Sequence, residues 1–510
     1  MENVDELKEL KKYKIIDKSI IIISYLYLAV PIIMLLAFWF KPYISILTIV
    51  ALIISLVFAL KKFKYKTIEQ YKKIFNIKKI IIMIILIVIL NILSGAGGIC
   101  HQNWDYRFRN AVFHDLIDYD WPVKYDFSQL NYESEKIGSD IGVLNYYFAY
   151  WLPSAAIGKI FGFHIASLFI LLWQTLGVTL FFYLLFRKLD NIKFKYFLIF
   201  LAFGGLDIIT KFIVCIKYGQ PLELLGTFHI DTANDAYCMS TFITQLFWVF
   251  NQSIPAWIIT MLLVNEKKFS NLGILLALLV PYSPFPVIGL AIWIIITILF
   301  GFDLNEKINK KRIKELFSVQ NVLGVLSVIP IGLMFLLNSN EKGFVLWRAF
   351  KNGILLDSLF KYLLFIILEF GVYALILNKQ NKRKVLTYFL IFSILPLFYL
   401  GIGVDLGNRA TIPILILLYI EVVKFLDSKK YKKRQILVWI ILVIAFLTNF
   451  NEIYRSISFT KRNYEYNFSN FDDSYHTFSS FGSNKECEKL IKNFVSPYDT
   501  KEIFFSKIFK

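Results

Sequence analysis

Charged side chains are scarce in this sequence: of its 510 residues, 18% are Asp, Glu, Lys or Arg and 57% are apolar. A composition this apolar lies outside the usual range of soluble globular proteins and excludes a cytosolic enzyme. The charge that is present is uneven, with 56 basic against 37 acidic residues. Because the lysines stand in short runs between long apolar segments, we interpret them as topology signals and expect no nucleic-acid partner.

Short motifs that bind metals or nucleotides are also missing. The four cysteines, Cys100, Cys215, Cys238 and Cys487, form no C-x-x-C pair and show no metal-ligand spacing, so neither a disulfide framework nor a zinc site is indicated. The sequence has no G-x-x-x-x-G-K-S/T phosphate loop, no G-x-G-x-x-G, no H-E-x-x-H and no internal repeat. These absences argue against nucleotide-driven transport and zinc-dependent hydrolysis.

Apolar runs long enough to cross a bilayer, roughly 17 to 25 residues each, fill most of the chain. The first, residues 19–38, is too long for a signal peptide and lacks a small-x-small cleavage site, so we expect it to remain as an anchor. Two shorter runs within residues 272–300 meet at a proline-rich hairpin. We predict an all-α integral membrane protein with about thirteen transmembrane helices. The other runs begin near Tyr43, Ile80, Ile165, Phe194, Leu246, Gln320, Ser358, Val385, Thr411 and Gln435.

The orientation of these spans depends on residues 146–162, because one additional crossing would invert everything after it. If this segment lies in the interface, the later cytosolic loops hold 21 Lys and Arg and the short outer loops hold 6, as the positive-inside rule predicts. Its aromatic residues, a proline and Lys159 also suit an interfacial helix. We therefore predict a helix flat on the outer surface, a cytosolic N-terminus and an extracytoplasmic C-terminus.

The first large outer loop carries the most informative polar residues. Asp105 comes within a turn or two of the outer end of the third span, where a carboxylate partly shielded from water can act as a base toward a hydroxyl. Cationic groups that could gather a phosphate stand close to it in sequence. These are His101, Arg107, Arg109 and His114.

Asp118 and Asp120 form a D-x-D triplet in the same loop. This pattern can hold Mg²⁺ or Mn²⁺ through hard oxygen ligands, so a divalent cation is a candidate cofactor. The motif is weak, and the alternative interpretation is a solvated loop.

The order of segments around the first outer loop resembles that of a known family. Four features follow one another in the sequence. They are an apolar span, the triplet N-W-D at Asn103, Trp104 and Asp105, a polar loop with W-P-V, and the segment YYFAYWLPSAAIGKIFG that closes an interfacial helix. This order resembles the membrane-embedded GT-C glycosyltransferases, in particular uncharacterised bacterial multi-pass members. Further shared phrases are LFWVFNQSIPAWIIT at 246–260, YSPFP at 282–286 and a D-x-x-x-R-x-x-x-P sequence from Asp405 through Arg409 to Pro413.

The resemblance implies a division of the chain and a reaction. Residues 1–79 would be a cytosolic N-terminus with an extra transmembrane hairpin, and residues 80–450 a GT-C-like core with a catalytic outer loop at 98–163. Residues 451–510 would be an extracytoplasmic tail. The implied activity is hexosyl transfer from a polyprenyl-phosphate sugar donor to a glycan or lipid acceptor on the outer face of the cell membrane.

The resemblance also assigns roles to single residues. Asp105 matches the acidic position near the start of the loop and would be the base or metal-assisted activator of the acceptor. Arg409 would hold the lipid phosphate, since a guanidinium binds phosphate bidentately where water is scarce. The alternatives are an arginine that reaches ordinary headgroups or one paired with Asp405.

Two further groups are candidates for substrate binding. His229, Asp231 and Asp235 cluster in the second outer loop and could face the same site, although ordinary loop polarity is the simpler interpretation. Asn251 and Gln252 interrupt an apolar run. Polar amides near a bilayer either pair across helices or line a binding site, and the sequence does not separate these roles.

Glu369 favours a different function, because it falls near the middle of an apolar run. An ionisable group there usually marks a pathway or a pair, as in a proton-coupled carrier, although a hydrogen-bonded glutamate inside the bundle is the simpler interpretation. The missing repeat and the concentration of polar residues on one face argue against a carrier. Two alternatives to glycosyl transfer therefore stay open, a polysaccharide or lipid carrier and a noncatalytic envelope assembly protein.

Overall fold

The computed structural model describes residues 2–61, 63–126, 141–221, 229–232, 234, 237–300, 310–337, 344–346, 355–400, 405–474, 476–477 and 494–497. Cys487 and Asp235 lie outside these residues. Within them, helices dominate. In chain order the α-helices are α1 (Glu2–Trp39), α2 (Pro42–Ala59), α3 (Ile68–Ile74), α4 (Ile77–Leu93), α5 (Tyr106–Asp118), α6 (Leu152–Phe161), α7 (Phe163–Leu189), α8 (Phe194–Ala202), α9 (Asp207–Tyr218), α10 (Phe242–Trp248), α11 (Phe250–Glu266), α12 (Leu272–Ala277), α13 (Pro284–Phe300), α14 (Lys310–Leu316), α15 (Val319–Leu337), α16 (Leu355–Ile366), α17 (Val372–Ile394), α18 (Asp405–Ala410), α19 (Ile412–Asp427) and α20 (Lys432–Glu465).

Short strands add two small antiparallel sheets. Strand β2 (Ile141–Leu144) pairs with β1 (Lys124–Asp126) on one side and with β5 (Val495–Pro497) on the other, and β3 (Phe344–Leu346) pairs with β4 (Phe398–Leu400). The first sheet thus joins the end of the chain to the loop that follows α5.

Seven helical segments of the described chain are long and apolar enough to cross a bilayer. An eighth forms if α3 and α4, which meet at 43°, make one broken span. The protein is therefore an all-α membrane protein, as the apolar runs predict. The seven are Val4–Trp39, Pro42–Ala59, Phe163–Leu189, Phe194–Tyr218, Arg312–Leu336, Leu356–Leu397 and Lys432–Glu465.

This number is below the thirteen crossings predicted, mainly because of helix length. Helices α11, α13 and α19 have 16 or 17 residues and measure about 24 to 26 Å at 1.5 Å per residue, slightly less than the hydrocarbon thickness. Helix α12, the first half of the predicted hairpin, has only six residues. Segment Leu356–Leu397 instead covers two predicted spans, and its backbone leaves the helical region at Asn381, where a loop is predicted.

The core lies around α11 and α19. Every residue of α11 from Phe250 to Val264 is buried, as is every residue of α19 from Ile412 to Val423. A helix that is apolar all round belongs at the centre of a bundle, with other helices between it and the lipid. The long helices α1, α2 and α20 expose many apolar side chains, as expected for surfaces that face lipid.

Segments predicted on the cytosolic side contact one another. Arg187 Nε lies 2.7 Å from Asp17 Oδ1, and both side chains are buried. Lys193, in the loop after α7, lies 2.9 Å from Asp427 at the end of α19. Arg434 donates to the carbonyl oxygen of Ile376 at 3.2 Å.

Segments predicted on the outer side meet in the same way. The Asn103 side chain donates to the Phe247 carbonyl oxygen at 2.7 Å, and the Ser240 backbone N–H donates to Asn408 Oδ1 at 2.8 Å. The Gln102 N–H donates to the Asn470 carbonyl oxygen at 3.1 Å. The contacts thus sort the loops into two ends as predicted, and which end faces the cytosol stays a prediction.

Residues 146–162 form a 3₁₀ turn, Ala149–Trp151, followed by α6. With ten residues, α6 is about 15 Å long and too short to cross a bilayer. Two aromatic residues that the sequence places at the interface, Tyr150 and Trp151 in the 3₁₀ turn, are instead buried in the protein, with ring centroids 5.5 and 6.0 Å from Phe250. Packing against α5 and α7 therefore covers only part of the surface that the sequence assigns to the interface, because Ile160 and Phe161 at the end of α6 stay exposed.

Candidate functional site

The site is built first on the turn that leads into α5. The Asn103 side chain anchors this turn to the break between α10 and α11, and its Oδ1 accepts the backbone N–H of Asp105 at 3.1 Å. Asp105 immediately precedes α5, so its carboxylate lies at the positive end of the helix dipole. These two hydrogen bonds fix the backbone at Asp105.

Arg109 lies one turn further along α5 and pairs with Asp105. Its Nη2 is 2.9 Å from Asp105 Oδ2, and its guanidinium is 5.4 Å from the Phe250 ring centroid. Arg109 is 7% exposed, and its Nη1 has no hydrogen-bond acceptor among the described residues. A buried N–H donor without an acceptor is costly, so this guanidinium has capacity for an anion.

Arg409 approaches the same place from the other half of the chain. In α18 its Nη2 lies 3.1 Å from Asp405 Oδ1, and its Nη1 lies 3.5 Å from the Tyr147 hydroxyl. Burial alone would lower the pKa of Arg409. The carboxylate of Asp405, the two tyrosines and Asp105 outweigh burial and hold that pKa above its usual value.

Tyr146 connects the two arginines. Burial raises the pKa of the Tyr146 hydroxyl, whereas the positive charges of Arg409 and then Arg109 oppose that rise. The ring centroid of Tyr146 lies 3.9 Å from that of Tyr147, the tyrosine that Arg409 contacts, so Tyr146 stands between the two arginines. We name this group of residues the arginine–tyrosine cluster: Asp105, Arg109, Tyr146, Tyr147, Asp405 and Arg409.

The remaining cationic candidates of the first loop lie elsewhere. The Arg107 guanidinium covers the Trp104 ring at 4.9 Å, and its Nε is 3.8 Å from Asp472. Burial, with help from Arg455 and Arg462, lowers the pKa of His101 to about 4, so this imidazole is neutral near pH 7. Neither residue belongs to the arginine–tyrosine cluster.

His114 and Asp118 lie near the other end of α5, with His114 about 13 Å along the helix from Asp105. The structure brings them together with Asp473 and His476, which follow α20. Asp120, the other member of the D-x-D triplet, is exposed two residues beyond α5. Magnesium or manganese binding by the triplet stays a prediction.

His229 and Asp231 lie in a different part of the bundle. His229 Nδ1 is 2.9 Å from Glu452 Oε1, and its ring stacks on Trp248 at 4.5 Å. Asp231 Oδ2 accepts the Thr241 N–H at 3.2 Å, while its Oδ1 has no partner in the described chain. Burial, together with the nearby Asp207, raises the pKa of Asp231 to about 7.

Glu369 belongs to this second region. It lies in the π-helical turn Ile367–Gly371 between α16 and α17, and single π turns are frequent at functional sites. Its carboxyl group is a hydrogen-bonding partner of Asp207 and lies close enough to Asp231 for the two charges to repel each other. A Cβ on Gly205 would lie 1.7 Å from Glu369 Oε2, so glycine is needed at that position. Asp207, Asp231 and Glu369 form what we call the buried acid cluster.

Asn251 and Gln252 occupy the first turn of α11 and are each 1% exposed. Both amide atoms of Asn251 and Oε1 of Gln252 have no hydrogen-bond partner in the described part of the chain. Phe250, the residue before them, is in contact with Arg109. These buried amide groups therefore directly follow, in sequence, a residue that contacts the arginine–tyrosine cluster.

Sequence reasoning missed the segment that follows α20. The Asp472 N–H donates to Gln102 Oε1 at 2.9 Å, the Asn110 side chain donates to the Asp472 carbonyl oxygen at 2.8 Å, and Thr477 bonds Asp115. The described residues 469–474, 476 and 477 are therefore docked on α5 and the turn before it. The only signal in the sequence is chemical, since Asp472, Asp473 and His476 stand together in it.

Comparison with known proteins gives no relative. No protein-family model matches the chain, and neither a curated protein nor a solved structure matches it. The resemblance to the GT-C glycosyltransferases thus rests on the sequence phrases alone.

Proposed function

We propose that the protein transfers a sugar from a polyprenyl-phosphate donor to a cell-envelope acceptor on the outer face of the membrane, with inversion at the sugar. The observation that carries this proposal is that Arg409 contacts Tyr147 at 3.5 Å, that the Tyr147 ring lies 3.9 Å from the Tyr146 ring, and that the Asp105–Arg109 pair is close enough to act electrostatically on Tyr146. Two guanidiniums suit a phosphate, and a carboxylate beside them suits an acceptor hydroxyl.

The chemistry follows from these charges. The acceptor oxygen attacks the anomeric carbon while the bond from that carbon to the phosphate oxygen breaks. Asp105 takes the acceptor proton, and the lipid phosphate leaves as an anion. Arg409 and the unused Nη1 of Arg109 would stabilise the negative charge that develops on the phosphate, where buried donors act strongly.

The test is transfer in proteoliposomes that contain the purified full-length protein, a synthetic polyprenyl-phosphate hexose and an extract of envelope glycans. We expect a new glycosidic product and a matching release of polyprenyl phosphate. A deletion strain should accumulate the donor lipid. An unchanged lipid-sugar profile in that strain, together with no product in vitro, would refute glycosyl transfer.

The proposal requires the arginine–tyrosine cluster to face outward, as thirteen crossings and a cytosolic N-terminus would give. Reporter fusions at Asn191 and Asn470 measure this directly. We expect Asn191, in a lysine-rich loop, to report as cytosolic and Asn470 as extracytoplasmic, because positive loops stay inside. A cytosolic signal from Asn470 would contradict the proposed orientation.

A second candidate, a proton-coupled polysaccharide or lipid carrier, is favoured by the buried acid cluster. Its three carboxylates are each at most 3% exposed, and Asp207 and Glu369 are hydrogen-bonding partners of each other. Ionisable groups in apolar surroundings often mark proton paths. In the same proteoliposomes, a carrier would move the lipid-linked sugar between leaflets without forming a glycosidic product.

A further inference from the structure

Two histidines and an aspartate meet where α5 ends. His114 and Asp118 are four residues apart and share one face of α5, with His114 Nδ1 4.0 Å from Asp118 Oδ2. His476, from the segment after α20, places its Nε2 3.8 Å from the same Asp118 oxygen. One ligand atom from each residue can be chosen so that all three lie within 4.8 Å of one another.

Asp473 lies behind both histidines. Its Oδ1 is 3.0 Å from His114 Nε2 and 3.7 Å from His476 Nδ1, the ring nitrogens that are turned away from Asp118. A carboxylate at these nitrogens favours a proton on each of them, so the lone pairs are left on His114 Nδ1 and His476 Nε2. A carboxylate that orients a histidine in this way is a common companion of bound metals.

The environment of His114 points to a ligand as well. Its ring is 6% exposed and stacks on Phe163 at a centroid distance of 3.8 Å, so its orientation is fixed. Because Nε2 faces Asp473 at 3.0 Å, Nδ1 is the ring nitrogen that remains for a ligand. Its ring centroid is only 4.2 Å from that of His476, an arrangement that repels if both imidazoles are protonated.

We propose that His114, Asp118 and His476 bind a divalent transition metal of the zinc class. Two imidazole nitrogens and one carboxylate oxygen suit zinc, whereas magnesium and calcium prefer oxygen ligands alone. Metal bonds of about 2.0 to 2.2 Å in a tetrahedral site need ligand atoms roughly 3.4 Å apart. The two distances to Asp118 Oδ2 must therefore shorten by about half an ångström, and the two histidine nitrogens, which lie within 4.8 Å of each other, by up to about 1.4 Å. A cation at the last residue of α5 also complements the helix dipole.

The site joins parts of the chain that are about 360 residues apart. Asp118 and His476 are on the surface, with side chains 53% and 63% exposed, so water can fill a fourth coordination position. Because His114 lies about 13 Å along α5 from Asp105, we assign the metal the role of fixing His476 and Asp473 to α5, and not a part in the proposed sugar transfer. The inference therefore does not depend on the proposed function.

The test is zinc binding by the full-length protein, purified in detergent with a tag that lacks histidine and stripped with a chelator. We expect one zinc per chain by elemental analysis, competition with a chromophoric chelator, and a higher melting temperature with zinc than with magnesium. His476→Ala and Asp118→Asn change exposed side chains and should weaken zinc binding at least about 10-fold. Asp473→Asn should weaken it roughly 10- to 100-fold by misorienting the histidines.

Two variants serve as controls. His164→Ala removes an exposed histidine near the site and should leave zinc affinity unchanged. Asp120→Asn separates this site from a D-x-D site, because it should also leave zinc affinity unchanged. No zinc bound by the wild type, wild-type affinity in His476→Ala, or a preference for magnesium or manganese that depends on Asp120 would each overturn the proposal.

Discussion

The Asp105→Asn protein is expected to fold like the wild type and to transfer sugar roughly 10² to 10⁴ times more slowly, the usual loss for a positioned base. Asparagine keeps the size of the side chain and most of its hydrogen-bonding capacity but cannot take the acceptor proton. The Asp105 side chain is 31% exposed, so the loss of its pair with Arg109 should cost about 1 kcal/mol or less. The measurement is initial transfer rate alongside melting temperature in detergent.

Glu465→Gln is the matched control. Glu465 also forms a helical ion pair, with Lys461 four residues before it at 3.7 Å, but it lies outside the arginine–tyrosine cluster. We expect its transfer rate to stay at the wild-type value. If Asp105 has a structural role instead, its replacement should lower activity and melting temperature together, with a loss of about 1 to 3 kcal/mol in the free energy of unfolding. Full transfer by a well-folded Asp105→Asn protein would rule out this residue as the base.

Replacing Arg409 by glutamine is expected to lower kcat/KM for the lipid-phosphate donor about 10- to 150-fold. A hydrogen bond from a charged donor contributes about 1.5 to 3 kcal/mol, and each 1.4 kcal/mol corresponds to a factor of ten. If Arg409 stabilises the leaving phosphate, the loss appears mainly in kcat, because the charge develops only in the transition state. Arg409→Lys should restore part of the rate, since it keeps the charge but loses the bidentate geometry.

Arg462→Gln provides the comparison for Arg409. Arg462 lies near the same end of the bundle, is exposed, and has its guanidinium 4.4 Å from the Phe459 ring centroid. Its removal should leave kcat/KM unchanged. Equal losses in the two variants would mean that general surface charge attracts the donor, whereas unchanged kinetics in Arg409→Gln would remove Arg409 from the reaction.

Part of the arginine–tyrosine cluster could be predicted because its pairs are local. Asp105 with Arg109, and Asp405 with Arg409, are each four residues apart, a spacing that brings side chains together on any helix. Asp105 also stands out in the sequence because it comes within a turn or two of the outer end of the third predicted span. The link between the two pairs through Tyr146 and Tyr147 could not be predicted, because it depends on how α6 and α18 pack.

The second outer loop shows the opposite case. His229, Asp231 and Asn251 are predicted near one site, yet His229 and Asp231 pack with Glu452 and the buried acid cluster, while Asn251 follows Phe250 beside Arg109. Sequence distance is a poor guide here because a chain that crosses a bundle repeatedly brings distant segments together. Glu369 is prominent in the sequence as a charge in an apolar run, but its partners Asp207 and Asp231 become apparent only in the folded protein.

The sequence by itself determined that this is an all-α membrane protein, because the bilayer requires apolar helices of a fixed length and that length can be read residue by residue. It also determined which loops share an end of the bundle. Only the tertiary structure decided that Asp472 docks beside α5, that His476 reaches His114 and Asp118, and that Arg409 reaches Tyr147. These contacts depend on side-chain packing between segments far apart in the chain, which has no periodic signal in the sequence.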